Sequence, residues 1–363
     1  MNITRYPPTE NQSLRAWSAA DEYILNKLSE MEPSGKTVAI CNDRFGYIGC
    51  HLNEMNSYSI VDYKSQETSL RLNLQNNGLK LNPERLLNPL TPVPEKVDIG
   101  IIHIPKSIDL FRFYLQYISR SLADDGVVIC GFMTRHFSPK LLTIAEEYFE
   151  DVEQSLAWKK SRVLLLKGKR AEPDTELMTS FSYTFREGTV QDLKQYAGVF
   201  SSANIDYGTQ FLLENLVVHK DENKVLDLAS GNGVIARAIQ LEYPHTEVHL
   251  MDDSYLAVMS SRLNLETENS HFHWSDSLDE IGDVQFDLVV SNPPFHFEHE
   301  VNSEVSIDLF REVAGKLKPG GRFFCVANKH LGYIASLKKF FTNASIVAEN
   351  KKFILYESRK GGV

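Results

Sequence analysis

Short apolar runs closed by turn residues alternate with amphipathic stretches along the chain, the pattern of βαβ units and a mostly parallel sheet. The run KVLDL (224–228), the glycine turn behind it and the helix start at 234–236 make one such unit. TVAIC (37–41) and the turn leading to Gly49 have the same outline, with Gly46 opposite Gly233. Three more pairs follow in the same order. SLRLNLQNNG (69–78) matches SSRLNLETEN (260–269), and VDIGIIHIPK (97–106) matches FDLVVSNPPF (286–295). QYISRSLADDGVVICGFMTRH (116–136) matches REVAGKLKPGGRFFCVANKH (311–330). The first three pairs are offset by 187, 191 and 189 residues, so order and spacing both repeat. An internal duplication explains this. The expected fold is α/β, with two doubly wound domains in tandem. They span 1–168 and 179–363, and the charged, proline-containing stretch 169–178 links them. Two β-rich runs around Asn350 predict a closing antiparallel hairpin.

Composition narrows the class. A length of 363 residues suits two domains, and 42% apolar with 24% charged residues is globular. No stretch nears the roughly 20 apolar residues of a membrane span, and the N-terminus carries no signal pattern. Cys41, Cys50, Cys130 and Cys325 form no C-x-x-C pair, so neither a zinc knuckle nor a disulfide framework is expected. The chain reads as cytoplasmic. A net charge of −10 weighs against a general nucleic-acid coat protein. Charge is uneven, however: residues 159–170 hold six basic residues and no acid. Lys159, Lys160 and Arg162, with Trp158 ahead of them, are candidates for polyanion contact and stacking, or else a solvated basic strand edge.

The second half carries candidate chemistry. In Asp227-Leu-Ala-Ser-Gly231-Asn-Gly233, the glycines let the chain turn sharply and let a ligand approach the backbone. Asp252 ends the next strand, where an acid is placed to hydrogen-bond a ribose diol. Gly231-x-Gly233-x-x-Ala236 also fits a loose nicotinamide fingerprint, so the loop leaves the cofactor open. Asn292-Pro293-Pro294-Phe295 resolves it. The tetrapeptide follows an apolar strand and therefore sits at its carboxyl end. The Asn292 side-chain oxygen and the Pro293 carbonyl can both accept from one planar amine, while Phe295 offers a stacking face. Gripping both hydrogens aims the nitrogen at an electrophile. Asp276 and Asp287 would give this pocket an acidic surround.

These residues resemble the class I S-adenosylmethionine-dependent amino methyltransferases. The tandem arrangement is similar to the bacterial ribosomal RNA guanine-N2 methyltransferases, which pair a degenerate first domain with an active second one. RAWSAADEYIL (15–25), SLAWKKSR (155–162), VFSSANIDYG (199–208), GNGVI (231–235), SSRLN (260–264), NPPFH (292–296) and VANKHLGY (326–333) resemble the branch acting on 23S rRNA. The branch acting on 16S rRNA shares the second half but fits the first less well. The resemblance implies a Rossmann-like class I fold, S-adenosyl-L-methionine as cofactor and the N2 amine of a 23S rRNA guanine as target, at position 1835. It also implies that Asp227, Gly231 and Gly233 cradle the methionine part, Asp252 the ribose and Asp276 the adenine amine. Asn292, Pro293, Pro294 and Phe295 would form the catalytic tetrapeptide. Asp206 would border the cofactor, or else cap a helix start.

The sequence departs from that family in places. Ala229-Ser230 stands where Gly-Cys is usual, which would strain the loop if Ala229 needs a positive φ. Ser202 and Asn204 replace the usual Arg and Gly before Asp206. In the first half, Ile40 and Arg44 stand opposite Asp227 and Gly231, and His103 and Ile104 opposite Asn292 and Pro293. That half is expected to be non-catalytic and to serve packing or RNA binding. His296, His299 and His330 fit no zinc spacing, and no metal is expected. A different class of function, an assembly factor with a vestigial site, is disfavoured by the intact Asp227, Gly233, Asp252 and Asn292.

Overall fold

The computed structural model describes residues 1–9, 11, 13–171, 173, 177–199, 204–266, 268–293 and 303–362, without the side chains of 303–306. Its contacts divide the chain into two units, Met1–Leu177 and Met178–Val363. The first unit holds α1 (Ala19–Ser29), β1 (Thr37–Cys41), α2 (Tyr47–His51), β2 (Asn56–Ile60), α3 (Lys64–Asn76) and β3 (Leu86–Leu87). It continues with β4 (Val97–His103), α4 (Ile108–Ser121), β5 (Leu122–Met133), α5 (Lys140–Tyr148), β6 (Phe149–Gln154) and β7 (Ser161–Lys169). The second unit opens on β8 (Met178–Thr184) and β9 (Val190–Tyr196), then α6 (Tyr207–Asn215), β10 (Lys224–Leu228), α7 (Val234–Glu242) and β11 (Glu247–Asp252). There follow α8 (Tyr255–Asn264), β12 (Ser270–Trp274), β13 (Phe286–Ser291), α9 (Ser303–Lys316), β14 (Leu317–Asn328), α10 (Ile334–Leu337), β15 (Asn343–Glu349) and β16 (Phe353–Arg359).

Each unit builds a seven-stranded sheet, and the two strand orders are the same. The first runs β3-β2-β1-β4-β5-β7-β6 and the second β12-β11-β10-β13-β14-β16-β15. Five strands of each are parallel, and the last two form an antiparallel hairpin, expected around Asn350 in the second unit and found in the first as well. Both sheets are the doubly wound fold of a class I methyltransferase. Strand order reverses between β1 and β4, and again between β10 and β13, which opens a crevice at the carboxyl ends of those strands. The central strands are apolar because helices cover both faces. Every residue of β1 is buried, as are four of the five in β10. In the second unit one core layer joins Val225, Ile235 and Leu250 and the other joins Leu226, Phe286 and Phe310, so the sheet is packed on both sides.

Gly46 and Gly233 show why the duplication keeps a glycine there. Both start their helices with positive φ, 72° and 79°. A Cβ on Gly46 would lie 2.8 Å from the Cα of Leu70, and one on Gly233 would lie 2.9 Å from the Cβ of Ser261. The repeat pairs Leu70 with Ser261, so the same helix crosses equally close in both units. The hairpin of β8 and β9 has no counterpart in the repeat pattern and went unpredicted. β9 packs on α8. Among the described residues, no helix is long and apolar enough to cross a membrane.

Candidate functional site

The crevice of the second unit lies between the loop after β10 and the chain leaving β13. The loop turns through three positive-φ residues, Ala229 (59°), Gly231 (55°) and Gly233 (79°). Ala229 therefore occupies the left-handed region that disfavours a side chain. Asn42, at the matching place in the first unit, has φ 61°. Around Gly231 the loop is open, since an added Cβ would meet nothing within 4 Å. Its backbone amide donates to Asp252 Oδ2 (2.9 Å), and the amide of Ser254 donates to Oδ1 (2.9 Å). Asp252 thus ties the loop to the head of α8.

Asp227 sits beneath the loop with no exposed surface. The Ala236 amide donates to its Oδ2 (3.0 Å), whereas Oδ1 is buried without a protein partner, as are Ser230 Oγ and Asp276 Oδ2. Burial pushes the Asp227 carboxyl up to about 8, against the Ala236 amide, and the negative charge of Asp252 adds to the rise. Burial likewise raises Asp252, opposed by the amides of Ser254, Gly231 and Asp253. Two acids in one enclosed place favour a ligand that brings positive charge and hydrogen-bond donors. S-adenosylmethionine fits that demand with its sulfonium and ammonium groups. Asp227, Ser230 and Gly231 would face its methionine part, Asp252 its ribose and Asp276 its adenine.

Two other residues, Gln195 and Asn264, hold the loop. Asn232 donates through Nδ2 to Gln195 Oε1 (2.8 Å), and Asn264 Nδ2 donates to the Asn232 carbonyl (2.9 Å). The first unit repeats the second bond, with Asn73 Nδ2 donating to the Phe45 carbonyl (2.8 Å). The shared Arg-Leu-Asn triplet of both halves was the available signal. For Gln195 there was none, because it arrives on the unforeseen hairpin.

At the carboxyl end of β13, Asn292 is held by α6. Its Nδ2 donates to Asp206 Oδ2 (2.8 Å) and to Thr209 Oγ1 (2.8 Å). A carboxylate only accepts, so the amide nitrogen must face Asp206. The Asn292 oxygen is then turned away from α6. Asp206 also caps that helix, accepting from the Thr209 amide (3.0 Å). The expected helix cap is thus present, and it doubles as the orienting group for Asn292. Thr209 was missed, although its position three residues past an N-cap acid marks a helix start. Pro293 follows directly. Pro294, Phe295, His296 and His299 lie outside the described residues, as does Ser202. Asp287 requires correction as a neighbour of this pocket. It is the second residue of β13, at the far end of the strand, where it accepts from the Lys224 amide (2.9 Å) and pairs with Lys318 (2.7 Å).

The equivalent crevice of the first unit is built differently. Ile40 is buried where Asp227 stands, and Val61, next after Ile60 in register, takes the place of Asp252. The amide that Asp227 caps is not abandoned: Asp43 Oδ2 accepts from Gly49, the counterpart of Ala236, at 2.7 Å. Burial pushes that acid up to about 7, against the Gly49 amide. His103, opposite Asn292, lies 2.5 Å from Asp21 Oδ1, opposite Thr209. The fold has kept these polar contacts and lost the two acids at the positions of Asp227 and Asp252. Lys159 and Lys160 occupy a two-residue turn at positive φ (47° and 61°) between Trp158 and Ser161. Lys159 pairs with Glu22 (2.9 Å) and lies over the Trp158 ring. β7 runs between β5 and β6, so this basic segment is not a sheet edge.

Comparisons with known proteins agree with this layout. Residues 1–173 match the family described as RLMG N-terminal domain, and residues 191–357 match the Methyltransferase small domain. The T. thermophilus 16S rRNA N2 G1207 methyltransferase (RsmC), solved with AdoMet and guanosine, superposes with a TM-score of 0.81 at 22% identity. That likeness covers 97% of this chain and 94% of the T. thermophilus chain. A methyltransferase from Pyrococcus furiosus is 16% identical over 42% of this chain and 81% of its own, with a TM-score of 0.36.

Proposed function

We propose that this chain, which carries an RLMG N-terminal domain ahead of a small methyltransferase domain, methylates a guanine N2 amine in 23S rRNA. The nucleotide proposed is guanine 1835, and the site of action is the cytoplasm. S-adenosylmethionine, the cofactor of this methyltransferase class, supplies a methyl group already activated on a sulfonium. The protein's task is to place and aim the amine. One observation carries this reading: Asp206 and Thr209 hold the Asn292 nitrogen, which leaves its oxygen as a fixed acceptor beside Pro293.

The target amine donates its hydrogens to the Asn292 oxygen and the Pro293 carbonyl. Its nitrogen lone pair then faces the cofactor side of the crevice. An aromatic amine is a weak nucleophile, but no base has to deprotonate it first. Its acidity rises once the nitrogen becomes cationic, and the proton can then pass to water. Guanine N2 in a stem is buried against its partner, so the base enters unpaired or flipped out. Phe295 is proposed to stack on it. The sequence-defined first domain, 1–168, is proposed to bind RNA and the second, 179–363, to catalyse, with 169–178 between them.

The choice of 23S rests on resemblance in the first half. The full-length likeness to the T. thermophilus enzyme supports a second reading, a 16S rRNA guanine-N2 methyltransferase. Labelling both rRNAs with methyl-tritiated cofactor, then identifying the labelled nucleoside by mass spectrometry, separates them. The expected result is N2-methylguanosine in 23S rRNA only. Label confined to 16S rRNA selects the second reading. N6-methyladenosine, or an absence of transfer despite cofactor binding, overturns both.

A further inference from the structure

The amino-terminal end of the second sheet carries a cluster that the transfer chemistry does not use. Glu247 and His249 alternate along β11, and His271 lies directly opposite His249 on the edge strand β12. All three project from one face of the sheet, as residues i and i+2 on a strand and their cross-strand partners must. Glu247 Oε1 lies 2.9 Å from His249 Nε2 and 3.4 Å from His271 Nε2. One donor atom from each residue falls within 4.8 Å of the other two. Donors about 2.0–2.1 Å from a tetrahedral zinc ion stand roughly 3.3 Å apart. The two measured separations bracket that edge length.

The surroundings suit a metal as well. His249 is buried, its ring edge-on to Phe286 (5.1 Å between centroids). Its other nitrogen, Nδ1, is 2.9 Å from His273 Nε2, which fixes the ring and leaves Nε2 toward Glu247. Such a partner on the second nitrogen is the usual support of a metal-bound imidazole. His271 is half exposed and gives the site an opening to solvent. One feature opposes binding: Lys224 Nζ, also partly exposed, lies 3.0 Å from the same Glu247 oxygen. That ammonium must swing away when a cation enters.

We propose that Glu247, His249 and His271 bind a divalent transition ion of the zinc type, with solvent as the fourth ligand. Two imidazoles and one carboxylate suit zinc, nickel or copper and disfavour calcium and magnesium. The site is separate from the transfer chemistry, since Asp252 lies three residues past His249 along β11, about 10 Å at 3.3 Å per residue. The ion would clip the edge strand β12 to β11 and so steady the chain that leads to Asp276.

Calorimetry of the chelator-treated full chain with zinc chloride tests this, with magnesium chloride as control. The expected result is one saturable zinc site per chain, no magnesium binding, and a rise in the melting temperature with zinc. His271→Ala alters a half-exposed ring and so spares the fold. It should weaken zinc binding ~10-fold or more, as should Glu247→Gln. Lys224→Met removes the competing ammonium and should tighten it. His296→Ala/His299→Ala should change nothing. The proposal fails if zinc shows no saturable binding, if binding survives His271→Ala and Glu247→Gln unchanged, or if it is lost in the His296/His299 double variant.

Discussion

In the proposed mechanism Asn292 grips the target amine only while its own amide is held the right way round, and Asp206 and Thr209 do that holding. Asn292→Ala should bind cofactor normally and lose about 10²–10³ in kcat, the usual cost of one oriented polar group. Asp206→Asn presents an amide to an amide, so Asn292 can flip. Single-turnover kinetics should show kcat reduced with the cofactor Kd unmoved. A loss confined to thermal stability would leave Asp206 as a helix cap alone. Asp227 makes a different prediction, through pH. Its folded value, about 8, lies above the unfolded one, so the folded protein binds a proton that the unfolded chain releases. Stability of the ligand-free protein should therefore fall between about pH 4 and pH 8 and level off above, by at most ~1.4 kcal/mol per pH unit for one group. Asp227→Asn, followed by urea unfolding across that range, should reduce the slope, to which the raised Asp43 also contributes, while abolishing cofactor binding. A slope unchanged in the variant would contradict the assignment.

At the scale of elements, the turn from strand to helix governs the site, and its two constraints differ. Gly233 is crowded as well as left-handed, with Leu265 Cδ1 2.6 Å and Ser261 Cβ 2.9 Å from an added Cβ. Gly233→Ala should cost about 2–5 kcal/mol by combining overpacking with left-handed strain. Ala229 carries the strain without the glycine. Ala229→Gly should relieve more than it loses in chain entropy and stabilise the domain by ~0.5–1 kcal/mol, read by chemical denaturation. The sequence anticipated the strain at Ala229 conditionally, because no local pattern says which way the backbone turns there. The repeated glycine was read as a turn, and its crowding by Ser261 and Leu265 came only from the packing. The hairpin of β8 and β9 was illegible for a related reason. Its strands, such as MTSFSYT with burial on alternate residues, are half-exposed, and nothing in the other half repeats them.

For the whole molecule, two units of one architecture predict one cofactor site. Ile40, Val61 and Arg44 replace the two acids and the open glycine, so calorimetry should find a single S-adenosylmethionine per chain, lost in Gly231→Arg. Two equivalent sites would refute the division of labour. If the first unit holds RNA, neutralising Lys159, Lys160 and Arg162 together should weaken RNA binding and reduce the slope of log K against log salt by about 2–3. Cofactor affinity should stay as it was. An unaltered slope would assign Lys159 to its Glu22 pair and place the RNA elsewhere.

The sequence by itself determined the duplication, the parallel sheets, the closing hairpin of the second domain and the glycine loop at 227–233, and it put Asn292 at the end of a strand. These follow from apolar period, glycine placement and collinear repeats, all of which are local in the chain. Only the tertiary structure decided who supports whom. Asp206 reaches Asn292 across 86 residues, Gln195 reaches Asn232 across 37, and Asp43 takes over an amide bond made by a strand residue in the other unit. The three groups that converge at Glu247, His249 and His271 come from two strands whose register sets the distances. Spacing along a chain cannot encode such meetings, because a hydrogen bond or a metal site depends on separation in space, and packing sets that separation.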